Sequence, residues 1–181
     1  MERVLILGCG GSGKSTLARQ LGALTGLEVI HLDRLFWRAD WKSLSREEFD
    51  AVLAQELEKP RWIMDGNYDR TVSVRLKKCD TVIFLDYSRW TCLYGVCKRV
   101  LMHYGKTRPD MGDGCPERFD LEFMKWVWNY NRDRRPKMLK LLEDEKHAQI
   151  LIFRNRRGLR AFLKEFSAKI KRNQREEEEC K

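Results

Sequence analysis

The sequence has little with which to staple or clip a fold together. Its six cysteines, Cys9, Cys79, Cys92, Cys97, Cys115 and Cys180, form no Cys-x-x-Cys pair. In a chain able to bury its own core they read as reduced thiols, which points to a cytoplasmic setting. Its three histidines, His31, His103 and His147, stand far apart along the chain, which argues against a zinc site. No run approaches the ~18 apolar residues of a membrane span. Met1-Glu2-Arg3 leads straight into an aliphatic run, so no signal peptide is expected. Asn-Lys-x-Asp and Asp-x-x-Gly are both missing, which sets a GTPase-type switch aside. Helix-turn-helix and zinc-finger patterns are missing too, so direct base reading has no support. The chain has no internal repeat.

Charge and one glycine-rich stretch are what the chain has in their place. Lysine and arginine total 36 against 27 acidic residues, a net charge of +9 over 181 residues. That surplus suits either a polyanionic small molecule or nucleic acid. The length suits one domain, expected over 1–172, with a charged, apolar-poor tail at 173–181.

Gly8-Cys9-Gly10-Gly11-Ser12-Gly13-Lys14-Ser15-Thr16 fits the phosphate-loop pattern without a mismatch. The run Arg3 to Leu7 before it reads as a buried strand. Leu17, Ala18, Leu21 and Leu24 after it recur at helical spacing, with Gly26 as a stop. In such a loop glycines bring backbone N–H groups against an anion, and the following helix points its positive end there. Gly8, Gly10, Gly11, Ser12 and Gly13 would form the cradle. Lys14 would reach the β- and γ-phosphates, Ser15 would ligate Mg²⁺, and Thr16 would donate to the α-phosphate.

Further strands are expected at Leu27–Leu32, Trp62–Met64, Thr81–Leu85 and Gln149–Phe153. Helices are expected from the Ser45-Arg46-Glu47-Glu48 capping box, within Thr71–Lys78, from Ser88 to about Tyr104, from Asp120, from Pro136 and after the fifth strand. Alternating strands and helices argue an α/β three-layer sandwich with a five-stranded parallel sheet and ligands at the strands' carboxyl ends. Residues 105–118 hold three glycines and two prolines and read as a mobile excursion.

A phosphoryl-transfer site also needs carboxylates and cations. Asp65, ending the third strand, is the candidate metal-side acid; Asp-Gly is equally a turn dipeptide. Asp33, placed at the end of the second strand, could accept a proton from an attacking hydroxyl, bind the acceptor or a magnesium-bound water, or act as a helix or turn cap. Lys98, Arg99, Lys106, Arg108 and Arg118 surround the excursion, and Arg132, Arg134 and Arg135 follow an aromatic helix. From these Arg99, Arg108 and Arg132 are the candidate catalytic arginines of a lid, against the plain alternative of a solvated basic face. Arg154 could border an adenine pocket or cap the last helix. Trp37 and Trp41 could line an acceptor pocket.

These residues together resemble the adenylate-kinase-type branch of phosphate-loop kinases. More closely, His31-Leu32-Asp33 with Phe36-Trp37, Asp65-Gly66-Asn67-Tyr68, Thr107 to Met111 and Gly114 to Arg118 resemble bacterial proteins labelled DNA topology modulation proteins. The resemblance implies sheet order 2-3-1-4-5, a lid at about 105–135, and ATP with Mg²⁺. Nucleoside monophosphate kinases usually carry Asp-Gly-x-Pro-Arg after the third strand. Here Asn67-Tyr68-Asp69-Arg70 follows Asp65-Gly66, and Asp33 is placed more as in shikimate and gluconate kinases. The expectation is a cytoplasmic, Mg²⁺-dependent kinase, monomer or homodimer, acting on an unidentified small-molecule acceptor. The alternative is a nucleic-acid-associated ATP-binding regulator.

Overall fold

The computed structural model describes residues 1–179; Cys180 and Lys181 lie outside them. Strands β1 (Arg3–Gly8), β2 (Val29–His31), β5 (Trp62–Asp65), β6 (Thr81–Leu85) and β7 (Gln149–Phe153) form one parallel sheet, in the order β2-β5-β1-β6-β7. Counted along the sheet's own strands this is 2-3-1-4-5, as expected. Two further two-residue strands, β3 (Trp37–Arg38) and β4 (Lys42–Ser43), pair antiparallel as a small hairpin that sequence reading missed.

The central strand β1 explains the three layers. Val4, Leu5, Ile6 and Leu7 are all fully buried, as a strand covered on both faces requires. Alternation sends Val4 and Ile6 to one side, with Leu17 and Leu21 of α1 (Lys14–Thr25) and Cys92 and Val96 of α5 (Arg89–His103). Leu5 and Leu7 go to the other, with Phe49 and Leu53 of α3 (Arg46–Leu57) and Met138 and Leu142 of α7 (Arg135–Glu143). Each fully buried aliphatic side chain contributes ~1.5–3 kcal/mol of transfer free energy. The capping box forms as expected: Ser45 Oγ accepts from Glu48 N, and Glu48 Oε2 accepts from Ser45 N at 2.8 Å.

Four expectations are corrected. Strand β2 stops at His31, and Asp33 lies in the first turn of the short helix α2 (Leu32–Phe36). Leu32, fully buried, turns inward to start that helix. The excursion at 105–118 is packed, not loose: Arg108, Asp110, Met111, Cys115 and Glu117 are buried. The helical half of the expected lid, α6 (Leu121–Asp133), belongs to the body, since Val127 and Tyr130 join the core around α1 and α5. The last helix α8 runs Arg156–Glu179, through the first seven residues of the expected tail. That segment has no glycine or proline, and Arg, Gln and Glu are good helix formers.

Candidate active site

At the carboxyl end of β1 the chain turns through Gly8 (φ 145°), Gly11 (φ 75°) and Gly13 (φ 97°) before α1 begins. Lys14 Nζ donates to Gly8 O at 2.9 Å and Cys9 O at 3.0 Å, straddling the loop. Gly8 N donates to Asn67 Oδ1 at 3.1 Å, tying the loop to the turn after β5. The Ser12 hydroxyl is buried with no hydrogen-bond partner. A buried donor left unpaired costs ~1–3 kcal/mol, and an anion in the cradle would satisfy it. The residues therefore fit a phosphate.

Carboxylates come from the neighbouring strand ends. β2 and β5 pair so that His31 stands beside Asp65, with His31 Nδ1 2.5 Å from Asp65 Oδ1. The other Asp65 oxygen accepts from the Ser15 hydroxyl at 2.7 Å. Asp65 is 4% exposed. A hydroxyl and a carboxylate, both oxygen donors, suit Mg²⁺ held partly through water. Asp33 Oδ1 accepts from the Tyr68 hydroxyl at 2.9 Å. Burial pushes the Asp33 carboxyl above its ordinary range; the Tyr68 hydrogen bond opposes this, and the charge of Asp65 adds to it. That is the direction a general base needs.

The Asp65 to Tyr68 turn is held from beneath by Arg75 of α4 (Val72–Leu76). This arginine is fully buried and donates to Gly66 O, Asn67 O, Tyr68 O and Thr71 Oγ1. Tyr68 itself has φ 41°, a left-handed conformation an aromatic residue rarely adopts. Nothing in the sequence separates Arg75 from a surface arginine on a short helix.

The excursion brings Arg108 and two acids to the same place. Asp110 Oδ2 accepts from Arg108 Nη1 at 2.6 Å, and Asp110 Oδ1 is 3.6 Å from Arg19 Nη1. Glu117 Oε2 stands 2.7 Å from Arg108 Nε without hydrogen-bond geometry, and Glu117 Oε1 pairs with Arg99 Nη2 at 3.1 Å. Burial pulls the Arg99 guanidinium below its ordinary range, and the charge of Arg108 adds to this. Burial pushes the Asp110 carboxyl up, but Arg108, the Ser15 hydroxyl and His31 outweigh it and hold the group below its ordinary range. Sequence reading sought cations in this segment and passed over their partners, although Thr107-Arg108-Pro109-Asp110 sets both within two residues.

The phosphate loop from Gly10 on, Arg19, Asp33, Asp65, Asn67, Tyr68, Arg99, Arg108 and Asp110 line one cavity of about 1010 Å³; His31, Arg75 and Glu117 do not. Phosphate-loop residues Gly10 to Thr16 form its floor. Asp33, Phe36, Trp37, Asn67 and Tyr68 form one end. Phe123, Trp126, Arg156, Leu159, Arg160 and Leu163 form the other, with Lys98, Arg99 and Arg108 between. Two candidates lie elsewhere. Arg132 is exposed and pairs with its neighbour Asp133 at 2.7 Å. Arg154 is exposed and does not line the cavity; one turn into α8, Arg156 and Arg160 do. Trp41 stays outside as well: its Nε1 donates to Pro116 O at 3.2 Å, pinning the hairpin to the excursion.

No protein-family model and no curated protein matches the sequence. Solved structures do match its fold. Shikimate kinase from Acinetobacter baumannii, in complex with shikimate, superposes with TM-score 0.62 at 16% identity, covering 96% of this chain and 94% of that one. Shikimate kinase from Bacteroides thetaiotaomicron gives 0.54 at 14%, covering 94% and 98%. A gluconokinase from Sinorhizobium meliloti gives 0.52 at 14%, covering 94% and 92%. The fold is that of phosphate-loop kinases.

Among the described residues no helix is long and apolar enough to cross a membrane, and no group of three or more His, Cys, Asp or Glu side chains is placed to hold a metal ion. The five described cysteines are free.

Proposed function

We propose that this protein is an ATP-dependent phosphotransferase acting on a hydroxyl group of a small molecule. The observation that carries the reading is the cradle: an unpartnered Ser12 hydroxyl beside Lys14, with Ser15 hydrogen-bonded to Asp65. Bound there with Mg²⁺ on Ser15 and Asp65, ATP would supply the phosphoryl group, and the metal would neutralise its charge. Lys14 would exchange its two carbonyl partners for phosphate oxygens. Arg99 and Arg108, near the cavity's middle, would face the transferred group while still held by Glu117 and Asp110. Asp33, one oxygen fixed by Tyr68, would take the hydroxyl proton with the other. The packed excursion would exclude water, which favours transfer over hydrolysis.

The resemblance to DNA topology modulation proteins leaves a nucleic-acid regulator as the alternative. The kinase reading is preferred because the cations are engaged. Arg70, Arg108, Arg132, Arg134 and Arg135 each pair with a carboxylate, which leaves fewer to follow a phosphate backbone. The test is calorimetry with MgATP, followed by a screen of hydroxylated metabolites, nucleosides and nucleotides for ADP release. Saturable ATP binding with acceptor-stimulated ADP release supports the reading. No ATP binding, with salt-dependent DNA binding, overturns it.

A further inference from the structure

We propose that the phosphate acceptor is an uncharged alcohol carrying a flat ring, of the nucleoside kind, rather than a carboxylate or a phosphate ester. The proposal rests on the kinase reading above and adds to it the chemistry of the second substrate.

An enzyme that takes an anionic acceptor must offer it a cation that is not already matched. The guanidiniums that could reach toward the Asp33 end are Arg19 and, from the middle of the cavity, Arg99 and Arg108, and each already faces a carboxylate of the excursion. Asp110 takes Arg108 and Arg19, and Glu117 takes Arg108 and Arg99. Both acids are buried, at 5% and 3% exposure. They cannot swing into water to free their partners without the whole segment moving. Three guanidiniums therefore face Asp110 and Glu117, while Asp33 and Asp65 lie beyond and Lys14 acts on Asp33 from the phosphate loop. Arg75, under the Asp65 to Tyr68 turn, is spent on three backbone carbonyls. A carboxylate or phosphate arriving beside Asp33 would meet a carboxylate there and no guanidinium free of one. Elsewhere in the cavity the cations differ: among the described residues Arg156 and Arg160 at the opposite end and Lys98 in between have no carboxylate partner, and all three line the cavity. Unmatched positive charge is thus kept for the triphosphate.

What the Asp33 end offers in place of charge is aromatic surface. Phe36, Trp37 and Tyr68 all line it. Phe36 packs edge-on against Trp37 at 5.0 Å and against Tyr68 at 5.1 Å, which fixes the rings relative to one another. The hairpin bearing Trp37 is pinned by the excursion. Asp40 N donates to Gly114 O at 3.0 Å, and Gly112 lies so close that a Cβ there would sit 2.0 Å from Trp37 O. A preformed aromatic wall recognises a flat ring by stacking, with little ordering cost. Asp33 faces the same space, Oδ1 held by Tyr68, with Oδ2 free of protein hydrogen bonds among the described residues. In the transfer, the acceptor oxygen forms a bond to the γ-phosphorus of ATP as the bond to the β,γ-bridging oxygen breaks. The electron pair leaves on ADP, and the hydroxyl proton passes to Asp33 Oδ2 and then to water.

The test uses the full chain with five probes: adenosine, thymidine, AMP, shikimate and gluconate. Calorimetry without ATP measures their binding, and ADP release under MgATP measures their turnover. Adenosine or thymidine is expected to bind, and to exceed all three anions by at least about tenfold in kcat/KM. Equal or better use of AMP, shikimate or gluconate overturns the proposal. ATP binding with neither nucleoside bound nor phosphorylated also overturns it, while leaving the donor site standing. No ATP binding overturns the kinase reading itself. Two variants separate charge from shape. Asp110→Asn leaves Arg19 without a carboxylate partner and Arg108 with Glu117 alone, and should raise the AMP-to-adenosine turnover ratio by about tenfold; an unchanged ratio refutes the charge argument. Trp37→Ala, on the half-exposed hairpin, should raise the nucleoside KM about tenfold with ATP affinity unchanged; an unchanged KM refutes the ring argument.

Discussion

At the donor end of the cavity the chain works with backbone, and at the acceptor end with side chains gathered from four separate segments. The phosphate loop is nine consecutive residues whose glycines and amides do the holding. The acceptor end needs Asp33 from α2, Tyr68 from the turn after β5, Trp37 from the hairpin, and Asp110 from the excursion. The difference teaches where a sequence is readable. A backbone site is set by local residue types at fixed spacing. A side-chain site is set by which segments meet, and that depends on the whole packed fold.

The sharpest way to break the comparison is at the donor end. Lys14→Ala should lower turnover by about 10²–10³-fold or more, because the point charge acts only on the transferring group. Apo stability should fall by no more than about 1 kcal/mol, the two carbonyl hydrogen bonds being part-buried. Equal turnover in the variant, measured as ADP release at saturating ATP, would remove the loop's assigned role.

The corresponding change at the acceptor end is Asp33→Asn. It should cut kcat by about 10²-fold or more with ATP affinity within a factor of two. It also carries a stability sign. Burial raises the folded pKa of Asp33 above its unfolded value. The folded state then holds the proton more tightly, and stability falls as pH rises from the unfolded value through the folded one. The asparagine amide has no such proton to lose, so the variant should melt higher than the parent at neutral pH, with the gap closing in acid. A lower melting point at neutral pH would show that the carboxylate stabilises the fold, contrary to its environment.

Gly95 sharpens the comparison from an unexpected side. It sits in the middle of α5, where alanine would be the better helix former by about 1 kcal/mol. A Cβ at Gly95, however, would stand 2.0 Å from Gly11 O of the phosphate loop. Gly95→Ala should therefore displace the loop and weaken ATP binding by about tenfold or more, with acceptor binding unaffected. Calorimetry with each ligand separately checks this. So even the donor end, legible as a motif, leans on a contact from a distant helix that no local pattern announces.

Much of the remaining fold could be read because local signals agree with packing. The β-branched run Thr81 to Leu85 becomes the strand it looks like, and the Ser45 box opens its helix. Asp33 reads as a strand end because His31-Leu32 extends an apolar run; tertiary burial of Leu32 turns it into a helix. The excursion reads as mobile from its glycines and prolines. Those residues serve close approaches and turns instead: Gly114 at φ 75°, and Gly112 against Trp37 O. Composition reports that a segment is irregular, and only its partners decide whether it is loose.

A smaller effect tests the Asp33 environment. The Tyr68 hydroxyl stabilises the Asp33 carboxylate by donating to it. Tyr68→Phe keeps the ring and deletes that donor, so the Asp33 pKa should rise further. The acid limb of the kcat profile should move to higher pH, by less than about one unit for a single part-buried hydrogen bond. A shift toward lower pH would mean the hydroxyl destabilises the charged form, and Asp33 would not be the group titrating.

The smallest expected effect separates a basic surface from a basic site. Arg132 is exposed and bound to Asp133, and Arg154 is exposed away from the cavity. Arg132→Ala and Arg154→Ala should each leave kcat/KM within about twofold, as surface changes do. Arg156→Ala and Arg160→Ala, two residues of the same charge lining the cavity, should raise the KM for ATP severalfold without altering the acceptor KM. If all four behave alike, the cavity has no donor end distinct from the general positive field of the surface. If only the α8 pair responds, the unmatched charge is held by position, and the chain's basic surplus is divided between a fixed site and paired surface groups.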